Sequence, residues 1–190
     1  MKIGLFFGSF NPMHIGHKII ASYMVEFSNL DKVMFVVSPQ NPLKQKNSLL
    51  DQYHRLQIIK AEVEDIPHLE VSDIEFSMPQ PSFTIDTLVR LKEQQPEHEF
   101  ALILGADNLQ NFHKWKNFEQ ILEDYSLYVY PRHGYQVEGT HKNIHLIKGV
   151  PQMEISASFI RNSIKQGKDI SYLMTEKAWK YTDEMNFYKK

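Results

Sequence analysis

The sequence predicts an α/β protein built on a doubly wound parallel sheet, with helices on both faces and a small helical segment at the carboxyl end. Three observations carry that expectation. Short, almost wholly apolar runs read as buried strands, stretches of helical spacing alternate with them, and turn residues close each run. Strands that are apolar throughout need cover on both faces, and parallel neighbours need a right-handed crossover connection, usually a helix.

Lys2 to Phe7 is the first such run, and it ends at Gly8. Helical spacing follows from Ile15 to Asn29 through Ile19, Ile20, Tyr23, Met24 and Phe27, and Asn29 stops it. Lys32 to Ser38 (KVMFVVS) is again strand-like and β-branched, closed by Pro39 and Pro42. Leu50 to Val63 returns to a helical pattern through Leu56, Ile59 and Val63, and Ser82 to Leu88 starts another helix after Pro79 and Pro81. Glu99 to Gly105 (EFALILG) and Ser126 to Pro131 (SLYVYP) are further strands, flanking a helical stretch from Phe118 to Glu123, and a sixth strand is expected at Ile144 to Lys148. Ile155 to Arg161 opens a helical pattern through Phe159, Ile160 and Ile164. The last segment, Tyr172 to Tyr188 with Trp179 and Tyr181, reads as a packed final helix or part of a subunit contact. Together these elements describe a Rossmann-like sheet in a single domain over residues 1–190, with a helical appendage from about 165 to 190.

At 190 residues the chain is long enough for one core, burying roughly 70% of its unfolded surface. Its 42% hydrophobic and 23% charged residues are ordinary for a globular protein. The 21 basic and 23 acidic side chains nearly cancel, so no global field points to nucleic acid or an anionic membrane, and phosphate recognition must be local. The absence of cysteine excludes disulfides, thiolate zinc sites and thiol nucleophiles, and fits a reducing compartment, the cytoplasm by expectation. Met1 to Phe7 is one strand's worth of apolar residues without a preceding basic region, and no run approaches the roughly 20 residues of a membrane span. In open α/β sheets ligands bind beyond the carboxyl ends of the strands, which here places Gly8, Pro39, Gly105 and Arg132 at the site.

The segment GSFNPMHIGH, Gly8 to His17, joins the first strand directly to the first helix, where a helix amino terminus meets a phosphate. Gly8 lets the backbone turn, Pro12 stiffens the loop, and Gly16 keeps the helix start clear. His14 and His17, three residues apart, fall on one side of a first helical turn and can donate to one phosphoryl group. Taken as residues alone, they also allow a metal pair, although no third ligand is evident, or an ordinary turn with incidental histidines. In the later segment ISASFIR, Ser156 or Ser158 can cap a helix whose free N–H groups receive an anion, while Arg161 grips one bidentately. A plain capped helix with an exposed arginine reads equally well from those residues alone.

Gly8, Phe10, Pro12, His14, Gly16 and His17 resemble the GxFxPxHxGH motif of the HxGH nucleotidyltransferases, and ISASFIR resembles the ISxTxIR signature of the same superfamily, with Ser158 in place of threonine. The resemblance runs from Lys2 to about Ile164. It implies catalytic roles for His14, His17 and Arg161. It also implies an ATP site formed by Gly8, Ser9, Phe10, His14, Gly16 and His17, by Gly105, Asp107 and Arg132 at later strand ends, and by Ile155, Ser156, Ser158 and Arg161.

Between these motifs, Ser82 to Leu88 (SFTIDTL) resembles the SYTIDTL segment of nicotinate-nucleotide adenylyltransferases, with Phe83 for tyrosine. The Gly105-Ala106-Asp107 segment, followed eight residues later by Trp115, resembles the same group. By that resemblance Asp107 faces ribose hydroxyls, Trp115 stacks on a pyridine ring, and N–H groups near Thr84 receive a nicotinate carboxylate. Lys44 lies near the mononucleotide phosphate, and Arg132 holds ATP phosphates. As plain structure, Thr84 is a helix cap, Trp115 a core or rim tryptophan, and Lys44 or Arg132 a solvated charge.

The reaction implied is attack of a mononucleotide 5′-phosphate on the α-phosphorus of ATP, through a loose transition state that needs orientation and positive donors rather than a protein nucleophile. His14, His17, Arg132, Arg161 and two helix amino termini are expected to supply them. Mg²⁺ is expected on the ATP phosphates, with no metal ligand from the chain. The expected partners are ATP and nicotinate mononucleotide, with neither nucleic acid nor membrane, and a homo-oligomer is allowed. Phosphopantetheine adenylyltransferase, which shares both end motifs, or another HxGH nucleotidyltransferase is the alternative enzyme; a nucleotide-sensing regulator without turnover is the non-enzymatic one.

Overall fold

The computed structural model describes residues 1–39, 49–135 and 141–189. Among these residues six parallel strands form one sheet: β1 (Lys2–Gly8), β2 (Lys32–Val37), β3 (Leu69–Ser72), β4 (Glu99–Gly105), β5 (Ser126–Tyr130) and β6 (Ile144–Leu146). Their spatial order is β3-β2-β1-β4-β5-β6. The chain first winds outward from β1 to β3, then returns to β1's other side with β4 and winds the opposite way. β1 is therefore central, paired with β2 from Ile3↔Lys32 to Gly8↔Val37 and with β4 from Lys2↔Glu99 to Leu5↔Leu102. The reversal leaves a crevice at the carboxyl ends of β1 and β4, where connections depart in opposite directions.

Alternation along the strands sorts side chains onto two faces. Phe6, Val33, Phe35, Val37, Ala101, Ile103 and Tyr128 form one core with Met24 of α1 (Ile15–Phe27) and with Leu56 and Ile59 of α2 (Gln52–Val63). Ile3, Leu5, Met34, Val36, Leu102, Leu104 and Val129 form the other, against Leu88 and Leu91 of α3 (Thr84–Gln94) and Ile121 of α5 (Phe118–Asp124). The short α4 (Ala106–Gln110) leads directly out of β4. Helices thus cover both faces, as the wholly apolar strands require. Among the described residues no helix is long and apolar enough to cross a membrane.

Most of the expected strand and helix ends hold to within one or two residues, whereas the final helix, expected within Tyr172 to Tyr188, is confined to Glu176–Glu184. β5 stops at Tyr130 because Pro131 has no N–H to continue the ladder. β6 ends at Leu146 rather than Lys148, just before a turn in which Gly149 takes φ +80°. The sequence assigns no residues to β3, whose four residues alternate apolar and polar side chains over too short a span to stand out.

After α6 (Ala157–Lys165), the carboxyl segment folds onto α2 through α7 (Glu176–Glu184). Buried Glu62 of α2 ties three helical segments together. It accepts from the Thr175 N–H at 2.8 Å, and its other oxygen meets Lys18 Nζ of α1 at 3.1 Å. Burial raises its carboxyl above the usual range against the pull of Lys18. Tyr181 adds a contact of 2.8 Å from its hydroxyl to His54 Nδ1, and Trp179 packs on the core.

Candidate active site

The crevice at the ends of β1 and β4 opens into a cavity of about 1010 Å³. Gly8, Ser9, Phe10, His14, Gly16 and His17 line it from the first turn, Asp107 and Arg132 from the later strand ends, and Ile155, Ser156, Ser158 and Arg161 from the start of α6. Two sequence segments some 140 positions apart therefore converge on one space. Gly105 is absent from the lining, but a Cβ there would collide with the Asp107 carboxylate and crowd Tyr130, so its lack of a side chain makes room for both.

The histidine pair grows out of the start of α1. His14 occupies the cap position in extended conformation, and His17 Nδ1 accepts from the His14 backbone N–H at 3.3 Å. That bond leaves the proton of a neutral His17 on Nε2. The ring centroids stand 3.9 Å apart, and a Cβ on Gly16 would press on the His14 ring at 3.1 Å. His14 Nδ1 is buried and makes no hydrogen bond of normal geometry among the described residues. Burial, reinforced by Arg132, lowers His14 to about 4; burial, then His14, then Arg132 lower His17 well below its ordinary 6.5. This corrects the expectation of cationic imidazoles: both rings are neutral at pH 7, N–H donors rather than standing charges. The standing positive charge comes from the two arginines.

Arg161 donates from Nη1 to the Asn11 carbonyl at 2.7 Å and from Nη2 to Ser158 Oγ at 3.2 Å. The serine that stands where the resemblance expects threonine thus supports the arginine. Ser156 caps α6 by accepting from the Phe159 N–H at 3.1 Å. Arg132 lies with its guanidinium 5.3 Å from the centre of the Tyr130 ring and 3.7 Å from Asp107 Oδ1.

Trp115 and Thr84, expected to hold a mononucleotide, lie elsewhere. Trp115 is half-buried beside Phe112 at a ring separation of 5.3 Å, and neither it nor Thr84 lines the cavity. Thr84 is the first residue of α3, not its cap, a position taken by Phe83. The turn carrying Trp115 nevertheless abuts that helix start, because Lys116 donates to Asp86 at 2.9 Å and sits over the Phe83 ring. Lys44 lies outside the described residues. Among the described residues, no group of three or more His, Cys, Asp or Glu side chains is arranged to hold a metal ion.

Arg55 is the principal site-shaping residue that motif reading passes over. It is fully buried on the apolar face of α2, and its fork donates to four carbonyls: Ser9 at 2.6 Å, Ser38 and Pro39 at 2.9 Å, and Leu50 at 2.8 Å. One guanidinium thereby clamps the backbone leaving β1 to the backbone leaving β2. Burial lowers it to about 10, so it stays charged at neutral pH. An arginine in step with Ile59 and Glu62 on a helix's inward face was the available signal.

Two helix starts with paired histidines and arginines facing one crevice, at the reversal point of this sheet, define the site of a nucleotidyltransferase. A match to the cytidylyltransferase-like family spans residues 5–163, and the chain belongs to that family. Within it the chain groups with the nicotinate-nucleotide adenylyltransferases. A Flavobacterium johnsoniae protein named "Probable nicotinate-nucleotide adenylyltransferase" is 53% identical over 100% of both chains. One of the same name from Cytophaga hutchinsonii is 51% identical over 94% of this chain and 93% of its own. The solved structure of Plasmodium falciparum nicotinic acid mononucleotide adenylyltransferase complexed with NaAD shares the fold, with a TM-score of 0.82 over 99% of this chain and 97% of its own, at 19% identity.

Proposed function

We propose that the protein transfers the adenylyl group of ATP to nicotinate mononucleotide, giving nicotinic acid adenine dinucleotide and pyrophosphate, a step of NAD biosynthesis. One observation carries the reading beyond the kinship of the chain: His14, His17, Arg132 and Arg161 converge on a single cavity at the sheet's reversal point. A mononucleotide 5′-phosphate oxygen attacks the α-phosphorus, the bond to the bridging oxygen breaks, and its electron pair leaves with pyrophosphate. No protein group becomes covalently attached. The arginines and the amino termini of α1 and α6 offset the charge of the leaving group, while neutral His14 and His17 donate hydrogen bonds where that charge grows.

Magnesium enters with the MgATP substrate, bound to phosphate oxygens, the hard ligands it prefers. Asp107 is assigned to the ribose of ATP. Thr84 and Trp115 are assigned to the acceptor, supported by the junction of the Trp115 turn with the start of α3, and Lys44 is assigned to it on the sequence resemblance alone. Pyrophosphate release from ATP is the test, with nicotinate mononucleotide, nicotinamide mononucleotide and phosphopantetheine offered in parallel. The expected result is fastest turnover with the nicotinate acceptor. Preference for phosphopantetheine, or no release with any acceptor, would overturn the proposal.

A further inference from the structure

The turn after β1 is held in an unfavourable shape. Phe10 takes φ 43°, in the left-handed region that a bulky residue occupies only where its surroundings over-determine it. On one side of it Arg55 grips the Ser9 carbonyl. On the other, Asn11 is held by contacts that include these among the described residues: its carbonyl accepts from Arg161, and its Oδ1 accepts from the Leu50 N–H at 3.2 Å and from the Tyr188 hydroxyl at 2.8 Å.

Tyr188 lies beyond α7 and outside residues 5–163, which carry the family match. It too is left-handed, at φ 65°. Two left-handed aromatic residues are thus linked through Asn11, which the Tyr188 hydroxyl reaches across 177 positions. The Asn11 backbone it steadies is the one that Arg161 is aimed against.

We infer that Tyr188 is a positioning residue of the phosphate pocket, fixing Asn11 and through it the Arg161 guanidinium. The inference rests on the proposed adenylyl transfer for its kinetic form and on pocket geometry alone for its binding form.

A double-mutant cycle of Y188F and R161A tests it, read as kcat for pyrophosphate release and as calorimetric affinity for inorganic pyrophosphate. Y188F lowers both by about five- to tenfold, the scale of one lost hydrogen bond. In the R161A background the same change has less than about twofold effect, because the residue being positioned is gone. A structural role alone would instead give equal fold-losses in both backgrounds. That outcome, or wild-type values in Y188F, overturns the inference. If circular dichroism shows Y188F unfolded, Asn11→Ala replaces it in the cycle under the same criteria. A wild-type protein that turns over no acceptor, yet shows the non-additive loss of pyrophosphate affinity, defeats the proposed reaction and keeps the positioning role.

Discussion

His14 and His17 are held neutral by burial, and that has separate consequences for stability and for turnover. His14 titrates near 4 in the folded protein and near 6.5 when unfolded, so between those values the unfolded chain binds a proton that the folded one refuses. Stability therefore falls as pH drops through this window, by about 3 kcal/mol between pH 7 and pH 4 from this residue. His14→Asn removes this residue's share of the dependence and leaves that of His17. Urea unfolding at both pH values checks it, and equal acid losses in the two proteins would refute it. For turnover, His17→Ala is expected to lower kcat by about 10² to 10³, the scale for removing one transition-state donor. Near-wild-type kcat in the folded variant would remove His17 from the mechanism.

Between elements, the decisive contact is the clamp that α2 places on the ends of β1 and β2. Arg55→Met leaves the carbonyls of Ser9, Ser38, Pro39 and Leu50 without that donor and is expected to cost about 3 kcal/mol, with a raised KM for ATP. Arg55→Lys should restore little, since an ammonium cannot serve four carbonyls arranged for a planar fork. Unfolding midpoints and ATP saturation curves together decide both points. This clamp also marks the limit of what the sequence discloses. The histidine turn and the ISASFIR helix were legible because each packs its chemistry into fewer than a dozen consecutive residues, and the long strands because they are apolar from end to end. LEVS in β3 was too short to show a period. Arg55 reaches Ser9 across 46 positions and Tyr188 reaches Asn11 across 177, partnerships that no local spacing announces. The neutral charge state of the histidines was hidden for a related reason, since burial is made by residues from several segments.

At the scale of the molecule, every strand runs the same way, so the chain enters the sheet along one edge and leaves it along the other. The leaving edge carries the cavity. The entering edge carries turns such as Gln95 to His98, about seven residues of strand away, or roughly 20 Å. The cavity and this turn thus lie at opposite rims of the sheet, and the sequence contains no cysteine. A Glu97→Cys substitution would create a uniquely addressable handle at an exposed position on the rim away from the cavity. A dye attached there should leave kcat and KM within about twofold of the unlabelled protein, as expected for surface changes far from the chemistry. Nucleotide capture could then be followed by light without disturbing the chamber where it happens.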